Sequence, residues 1–294
     1  MLMYVCFRLA VLLARWLPER AARAFVCWVG RLIYRLSSTA EVSRDNARHV
    51  LGADADPAQV SSLARAMFEN RALGYYDLVR LPSVPRDEFA QRVTPVGFEH
   101  LDRLVEKKQG AVVLTGHLGP LEYMLQAVSI FGFPLITISE HLEPERLDRY
   151  VRSLRSSHGL DMMSTKGPLL DVFRRLKRGG FLASAIDRDS TDTGLIVDFM
   201  GAPAWMPDGY ARVAVQANVP LIFGYCRKTE KGALVQVYPP IYPDRSLGKE
   251  KAALDLIQQV LRLFEQTIRA YPKEWYLSSP VWKLAQERLE KETA

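Results

Sequence analysis

The run Gly110-Ala-Val-Val-Leu-Thr-Gly-His-Leu-Gly-Pro-Leu-Glu-Tyr123 reads as a strand, a tight turn and the start of a helix. Val112, Val113 and Leu114 have the residue types of a strand buried on both faces, and Gly116 and Gly119 permit a sharp turn just beyond it. Pro120 suits the first helical position, because its fixed φ is helical and its missing N–H would have had no partner there. His117 therefore falls at the strand's carboxyl end and Glu122 in the helix's first turn. On an unbroken helix, residues five apart lie about 140° apart around the axis. The Gly-Pro break lifts that restriction and lets the glutamate fold back towards the histidine. Glu122 is then expected to accept the proton of His117 Nδ1, fixing the tautomer and leaving Nε2 as a base.

No serine or cysteine stands in this motif as a nucleophile, so the hydroxyl to be deprotonated has to come from a substrate. That is the logic of direct acyl transfer. The competing reading of a histidine at a strand end is structural.

His117-x4-Glu122 after a buried strand resembles the His-x4-Asp/Glu block of membrane glycerolipid acyltransferases, and Gly-His-x-Gly-x-x-Glu resembles its form in the lipid A late acyltransferases. The nearest likeness is to their relatives, the phosphatidylinositol-mannoside acyltransferases. It is carried further by Ser139-Glu-His-Leu-Glu-Pro-Glu-Arg146, by Asp187-Arg-Asp-Ser-Thr-Asp-Thr-Gly194 with Val197-Asp-Phe-Met-Gly201, and by Glu274-Trp-Tyr276 with Trp282-Lys283. These blocks span most of the chain beyond Arg44. The resemblance implies an acyl-thioester donor, either acyl-coenzyme A or an acyl-carrier protein, and a glycolipid or phospholipid hydroxyl as acceptor, with no further cofactor.

The 294 residues are 48% hydrophobic, enough for one large core, and the net charge of +6 calls for an anionic partner. The location of that charge identifies the partner. Arg8, Arg15, Arg20, Arg23, Arg31 and Arg35 punctuate the apolar first 36 residues, against only Glu19. Arginine recurs too often for a span, which needs about 20 mostly apolar residues. Pro18-Glu19 divides the segment into two amphipathic helices lying on an anionic membrane surface, with Trp16 and Trp28 at headgroup depth. The other reading is a pair of core helices with snorkelling arginines. Nucleic acid does not fit, because the basic charge sits in an apolar N-terminus rather than on a recognition helix. Cys6, Cys27 and Cys226 have neither disulfide-pair nor metal-ligand spacing, so a reducing compartment is expected. Zinc, serine-hydrolase and phosphate-loop motifs are absent from the sequence.

Beyond residue 44, helical stretches alternate with short apolar runs at residues 135–139, 160–163, 181–186, 197–199, 221–226 and 234–238, the pattern of an α/β domain with a mainly parallel central sheet flanked by helices. Loops at the carboxyl ends of such strands gather at one edge, where His117, Glu140 and Asp187 are expected to converge. Residues 82–95 read as a connection, and 249–270 as the clearest helix, with Leu254, Ile257, Leu261, Phe264 and Ile268 on its packing face. Asp187-Arg188-Asp189 reads in two ways: an arginine held by two aspartates that clamps a phosphate or sugar, or a structural ion cluster. Arg155 is expected either at the donor's phosphates or on helix carbonyls. The expectation is thus interfacial helices at residues 1–43 before an α/β acyltransferase domain at 44–294, peripheral or monotopic on the cytoplasmic face of the inner membrane. Its rivals are a thioesterase and a non-catalytic lipid-binding protein of the same fold.

Overall fold

A computed structural model describes residues 2–164, 167–230 and 232–293. Met1 and Ala294, the outer ends of the two expected units, lie outside the described residues. The chain begins with α1 (Leu2–Trp16), α2 (Glu19–Leu36), α3 (Ala40–Leu51) and α4 (Pro57–Arg80). Pro18 separates the first two, and Asp56 caps α4 by accepting a hydrogen bond from the Gln59 N–H ahead of a proline at the first helical position. Then come α5 (Arg86–Gln91), β1 (Val93–Val96), α6 (Glu99–Glu106), β2 (Ala111–Thr115), α7 (Leu121–Ile130), β3 (Leu135–Ser139), α8 (Glu145–Arg155), β4 (Asp161–Ser164), α9 (Leu169–Lys177) and β5 (Phe181–Ala185). The chain finishes with β6 (Leu195–Phe199), β7 (Ala202–Met206), α10 (Gly209–Ala217), β8 (Leu221–Thr229), β9 (Gly232–Val237), α11 (Lys249–Ala270) and α12 (Val281–Thr293).

Among the described residues, seven strands form one sheet in the order β1-β9-β8-β2-β5-β3-β4, and β6 and β7 form a separate antiparallel hairpin. Five of the seven, from β8 to β4, run parallel; β9 turns back against β8, and β1 runs alongside β9. Every residue of β2 is buried, as a central strand covered on both faces requires. Val112 and Leu114 join Ile136, Leu182 and Phe223 in the core packed by α9, α10 and α11. Ala111 and Val113 point the other way, into the core shared with α5, α6 and α7. On α11, Ile257, Leu261, Phe264 and Ile268 are buried as expected, whereas Leu254 is exposed.

The expected mainly parallel sheet with flanking helices is present. Two strands were not anticipated, β1 within the expected connection and β7, and each contains a proline, Pro95 and Pro203. Proline suits them because β1 is an edge strand and β7 belongs to a two-stranded hairpin. The expected division between residues 43 and 44 falls inside α3.

Val11 and Ala14 of α1 and Ala22 of α2 pack with Tyr76, Leu78 and Val79 of α4 and with Leu147, Val151 and Leu154 of α8. The opposite faces of α1 and α2 remain uncovered, with Leu9, Leu13, Phe25 and Leu36 exposed, Trp16 at 85% and Trp28 at 56%. Arg23 does not share that outward orientation: its guanidinium lies 3.2 Å from the buried carboxylate of Asp77 on α4. Among the described residues, no helix is long and apolar enough to cross a membrane.

Candidate active site

Strands β2 and β5 pair in register from Ala111 with Phe181 to Thr115 with Ala185, so residues 117 and 187 each lie two positions beyond the last pair, at the same edge of the sheet. The side chains meet there. His117 Nδ1 lies 2.8 Å from Asp187 Oδ1, and the His117 backbone N–H donates to Oδ2 at 2.8 Å. Trp275 Nε1 also donates to Oδ2, at 3.0 Å. Burial pushes the Asp187 carboxyl up, but the neighbouring imidazole and these hydrogen bonds outweigh it and hold the group below its ordinary value. Asp187 is therefore an ionised, fully buried carboxylate, and the proton on the imidazole sits at Nδ1. No hydrogen bond reaches Nε2 among the described residues, and the His117 side chain keeps 22% of its surface exposed.

The expected partner of His117 is corrected by this geometry. Glu122 turns to Arg155, whose Nε and Nη2 both lie 2.9 Å from Glu122 Oε1, while Oε2 is buried without a partner among the described residues. Having entered α7 after Pro120, Glu122 faces α8 rather than the turn. The Glu122 charge raises the Arg155 guanidinium above its ordinary value against the opposing effect of burial, and neither alternative expected of Arg155 describes this ion pair.

Arg188 is likewise not held by its flanking aspartates. It reaches 2.8 Å to Glu140 Oε2, at the end of the neighbouring strand β3, and both partners are substantially exposed. Asp189 organises its own loop, accepting hydrogen bonds from the N–H groups of Thr191, Asp192 and Gly194, the Thr191 hydroxyl and Trp205 Nε1. Burial raises its pKa, but these donors hold it below the ordinary range. His117, Glu140, Asp187 and Arg188 thus come together at the edge, while Glu122 and Arg155 form a second pair beginning five residues after His117.

The turn itself has no room for larger residues. A Cβ on Gly116 would lie 2.3 Å from the Phe264 ring, and one on Gly119, where φ is +65°, would lie 1.8 Å from the Cys226 carbonyl oxygen. A segment near the C-terminus holds the turn from outside: the Gly119 N–H donates to the Glu274 carbonyl, and the Tyr276 N–H donates to the His117 carbonyl. No spacing in the sequence links Glu274-Trp-Tyr276 to His117, so this contact is visible only in the fold. Below the turn, a small cavity of about 40 Å³ is lined by Arg23, Asp77, Gly119, Pro120, Lys228 and Glu274. Burial pushes the Glu274 carboxyl up to about 7. Among the described residues, no three His, Cys, Asp or Glu side chains cluster as metal ligands would.

The family model for bacterial lipid A biosynthesis acyltransferase matches residues 2–284. A phosphatidylinositol mannoside acyltransferase of Mycobacterium tuberculosis is 30% identical over 280 residues, covering 91% of this chain and 84% of the relative. One of Mycolicibacterium smegmatis is 28% identical over 276 residues, covering 92% and 88%. From its first helix to its last, the chain belongs to the bacterial lipid A biosynthesis acyltransferase family.

Proposed function

We propose that this acyltransferase moves a fatty acyl chain from an acyl thioester, acyl-coenzyme A or acyl-carrier protein, to a hydroxyl of a glycolipid or phospholipid acceptor, with His117 as general base. The observation that carries this reading is the imidazole whose Nδ1 faces an ionised carboxylate and whose Nε2 is unengaged. Nε2 takes the proton of the acceptor hydroxyl as its oxygen attacks the thioester carbonyl. Asp187 stabilises the imidazolium that results. Collapse of the tetrahedral intermediate forms the ester and expels the thiolate, which takes the proton back from the imidazolium. The Arg188–Glu140 pair at the sheet edge and the Arg155–Glu122 pair beside the turn are suited to polar parts of the two substrates. Two relatives named phosphatidylinositol mannoside acyltransferases favour a mannosylated phospholipid as acceptor.

The exposed apolar and tryptophan-bearing faces of α1 and α2, with Arg8, Arg15, Arg20, Arg31 and Arg35 on the same helices, support peripheral attachment to an anionic membrane. We place the enzyme on the cytoplasmic face of the inner membrane, where acyl thioesters are available.

Purified full-length protein in anionic vesicles, given an acyl-coenzyme A or acyl-carrier protein and a mannosylated phosphatidylinositol, should release free thiol and yield an acceptor heavier by one acyl group in mass spectra. Thiol release at the same rate with and without every acceptor would identify a thioesterase instead. Lipid binding without turnover of either donor would identify a non-catalytic protein of this fold.

A further inference from the structure

We propose that Trp275 is a positioning residue that acts on His117 through Asp187, an inference that rests on the reading of His117 as the base. Three successive residues of one segment touch the site: Glu274 through its carbonyl to the Gly119 N–H, Trp275 through Nε1 to Asp187 Oδ2, and Tyr276 through its N–H to the His117 carbonyl. The segment therefore fixes the backbone on either side of Leu118 and, independently, the carboxylate that faces the imidazole. An isolated bridge between Leu118 and Trp275 marks the same junction.

The Asp187 carboxylate has two oxygens with different tasks. Oδ1 meets Nδ1, and Oδ2 is held by the His117 N–H and Trp275 Nε1. With both donors on Oδ2, the carboxylate plane is fixed and Oδ1 is presented to the ring. With one donor it can rotate about its Cβ–Cγ bond, and Nδ1 loses its in-line acceptor. The indole is itself immobile. Trp275 is completely buried, with Phe199, Phe264 and Trp282 edge-on around it at centroid distances of 5.9, 6.3 and 6.1 Å. The direction of its N–H is thus set by packing and not by the aspartate. The segment is anchored on the far side as well, where Asn70 donates to the Lys273 carbonyl and Asn46 to the Leu277 carbonyl.

A tryptophan that merely fills the core also places its N–H on some acceptor, so the test has to separate orientation from packing. Two full-length variants do this: Trp275→Phe, and a protein carrying β-(3-benzothienyl)alanine at position 275, in which sulfur replaces the N–H within an isosteric ring. The second keeps the packing even where phenylalanine leaves a hole. The chain has five histidines, so proteins labelled with ¹⁵N-histidine at about pH 8 report the His117 tautomer by long-range ¹H–¹⁵N correlation. The wild type should show His117 with its proton on Nδ1. Both variants should show a mixture of tautomers, kcat lower by about 10- to 100-fold and KM for the thioester little changed, a smaller loss than the 10²- to 10⁴-fold typical of removing a base. Each substitution should cost nothing further in the Asp187→Asn background. A folded benzothienyl protein with wild-type kcat and a single tautomer would overturn the proposal, as would a loss that multiplies in full with that of Asp187→Asn. If the wild type transfers no acyl group yet its single tautomer is lost in both variants, positioning stands and the functional reading falls.

Discussion

At the residue scale, the carboxylate facing the His117 ring is that of Asp187, while Glu122 is paired with Arg155. Nearness in sequence favoured Glu122 as the partner of His117, whereas the registered pairing of β2 with β5 brings in Asp187 from 70 residues away. Asp187 was legible as a residue of that edge, because alternation of strands and helices places every strand's carboxyl end together. Its adjacency to His117 was not, since β3 and β4 intervene in the chain and nothing in the sequence of β5 says that it crosses back to pair with β2. Arg188 permits a direct prediction. Exposed ion pairs contribute about 0–1 kcal/mol, so Arg188→Ala should leave the melting temperature within a few degrees of wild type. Its turnover should fall severalfold or more; a large drop in Tm with normal turnover would mark the Arg188–Glu140 pair as structural. Glu274 supplies a pH dependence. Its pKa in the folded protein, about 7, lies above its ordinary 4.5, so the folded state holds a proton that the unfolded chain has released between those values. Stability should therefore fall as pH rises from about 4.5 through 7 and level off above. Allowing for partial solvation, Glu274→Gln should recover roughly 1 kcal/mol at pH 8 and nothing at pH 4.5, as measured by urea unfolding. Equal stabilisation at both pH values would contradict the titration.

At the scale of elements, regular helices were the most legible parts, because α11 and α9 carry unbroken helical spacing between clear breakers. The short strands β1 and β7 escaped because proline within four or five residues masks the alternating pattern, and because their status as an edge or hairpin strand is a tertiary fact. The attachment of α2 was likewise invisible: six arginines in an apolar segment suggest a common outward face, yet Arg23 is drawn inward by Asp77. Asp77 also lies 3.5 Å from Lys228 at the end of β8, so one buried carboxylate joins α2, α4 and β8. Burial raises the Asp77 carboxyl, against the pull of Lys228 and Arg23, and removing it would leave two cations to be compensated by water. Asp77→Ala should cost about 3–5 kcal/mol in chemical denaturation, the range for breaking a buried pair. Arg23→Ala leaves Lys228 as partner and should cost distinctly less. Equal losses would mean that Lys228 does not share the carboxylate.

At the scale of the whole molecule, one end of the chain presents the exposed apolar surface proposed as the membrane attachment, while the site is assembled from the carboxyl edge of the sheet and fastened from near the other end. Trp16 and Trp28 are exposed, so Trp16→Ala with Trp28→Ala should weaken binding to anionic vesicles by about 10-fold or more, at unchanged melting temperature. Undiminished sedimentation of the double variant with vesicles would remove these faces from the membrane account. The central claim concerns chemistry, that His117 is a base oriented by Asp187 and not by Glu122. It is tested most directly by comparing thioester turnover in folded, full-length His117→Ala, Asp187→Asn and Glu122→Gln proteins under saturating donor and acceptor. His117→Ala should lose about 10²- to 10⁴-fold in kcat. Asp187→Asn should fall nearly as far, because the amide cannot stabilise an imidazolium, and Glu122→Gln should retain markedly more activity than either. Wild-type-like turnover by Asp187→Asn, with Glu122→Gln as inactive as His117→Ala, would contradict the account.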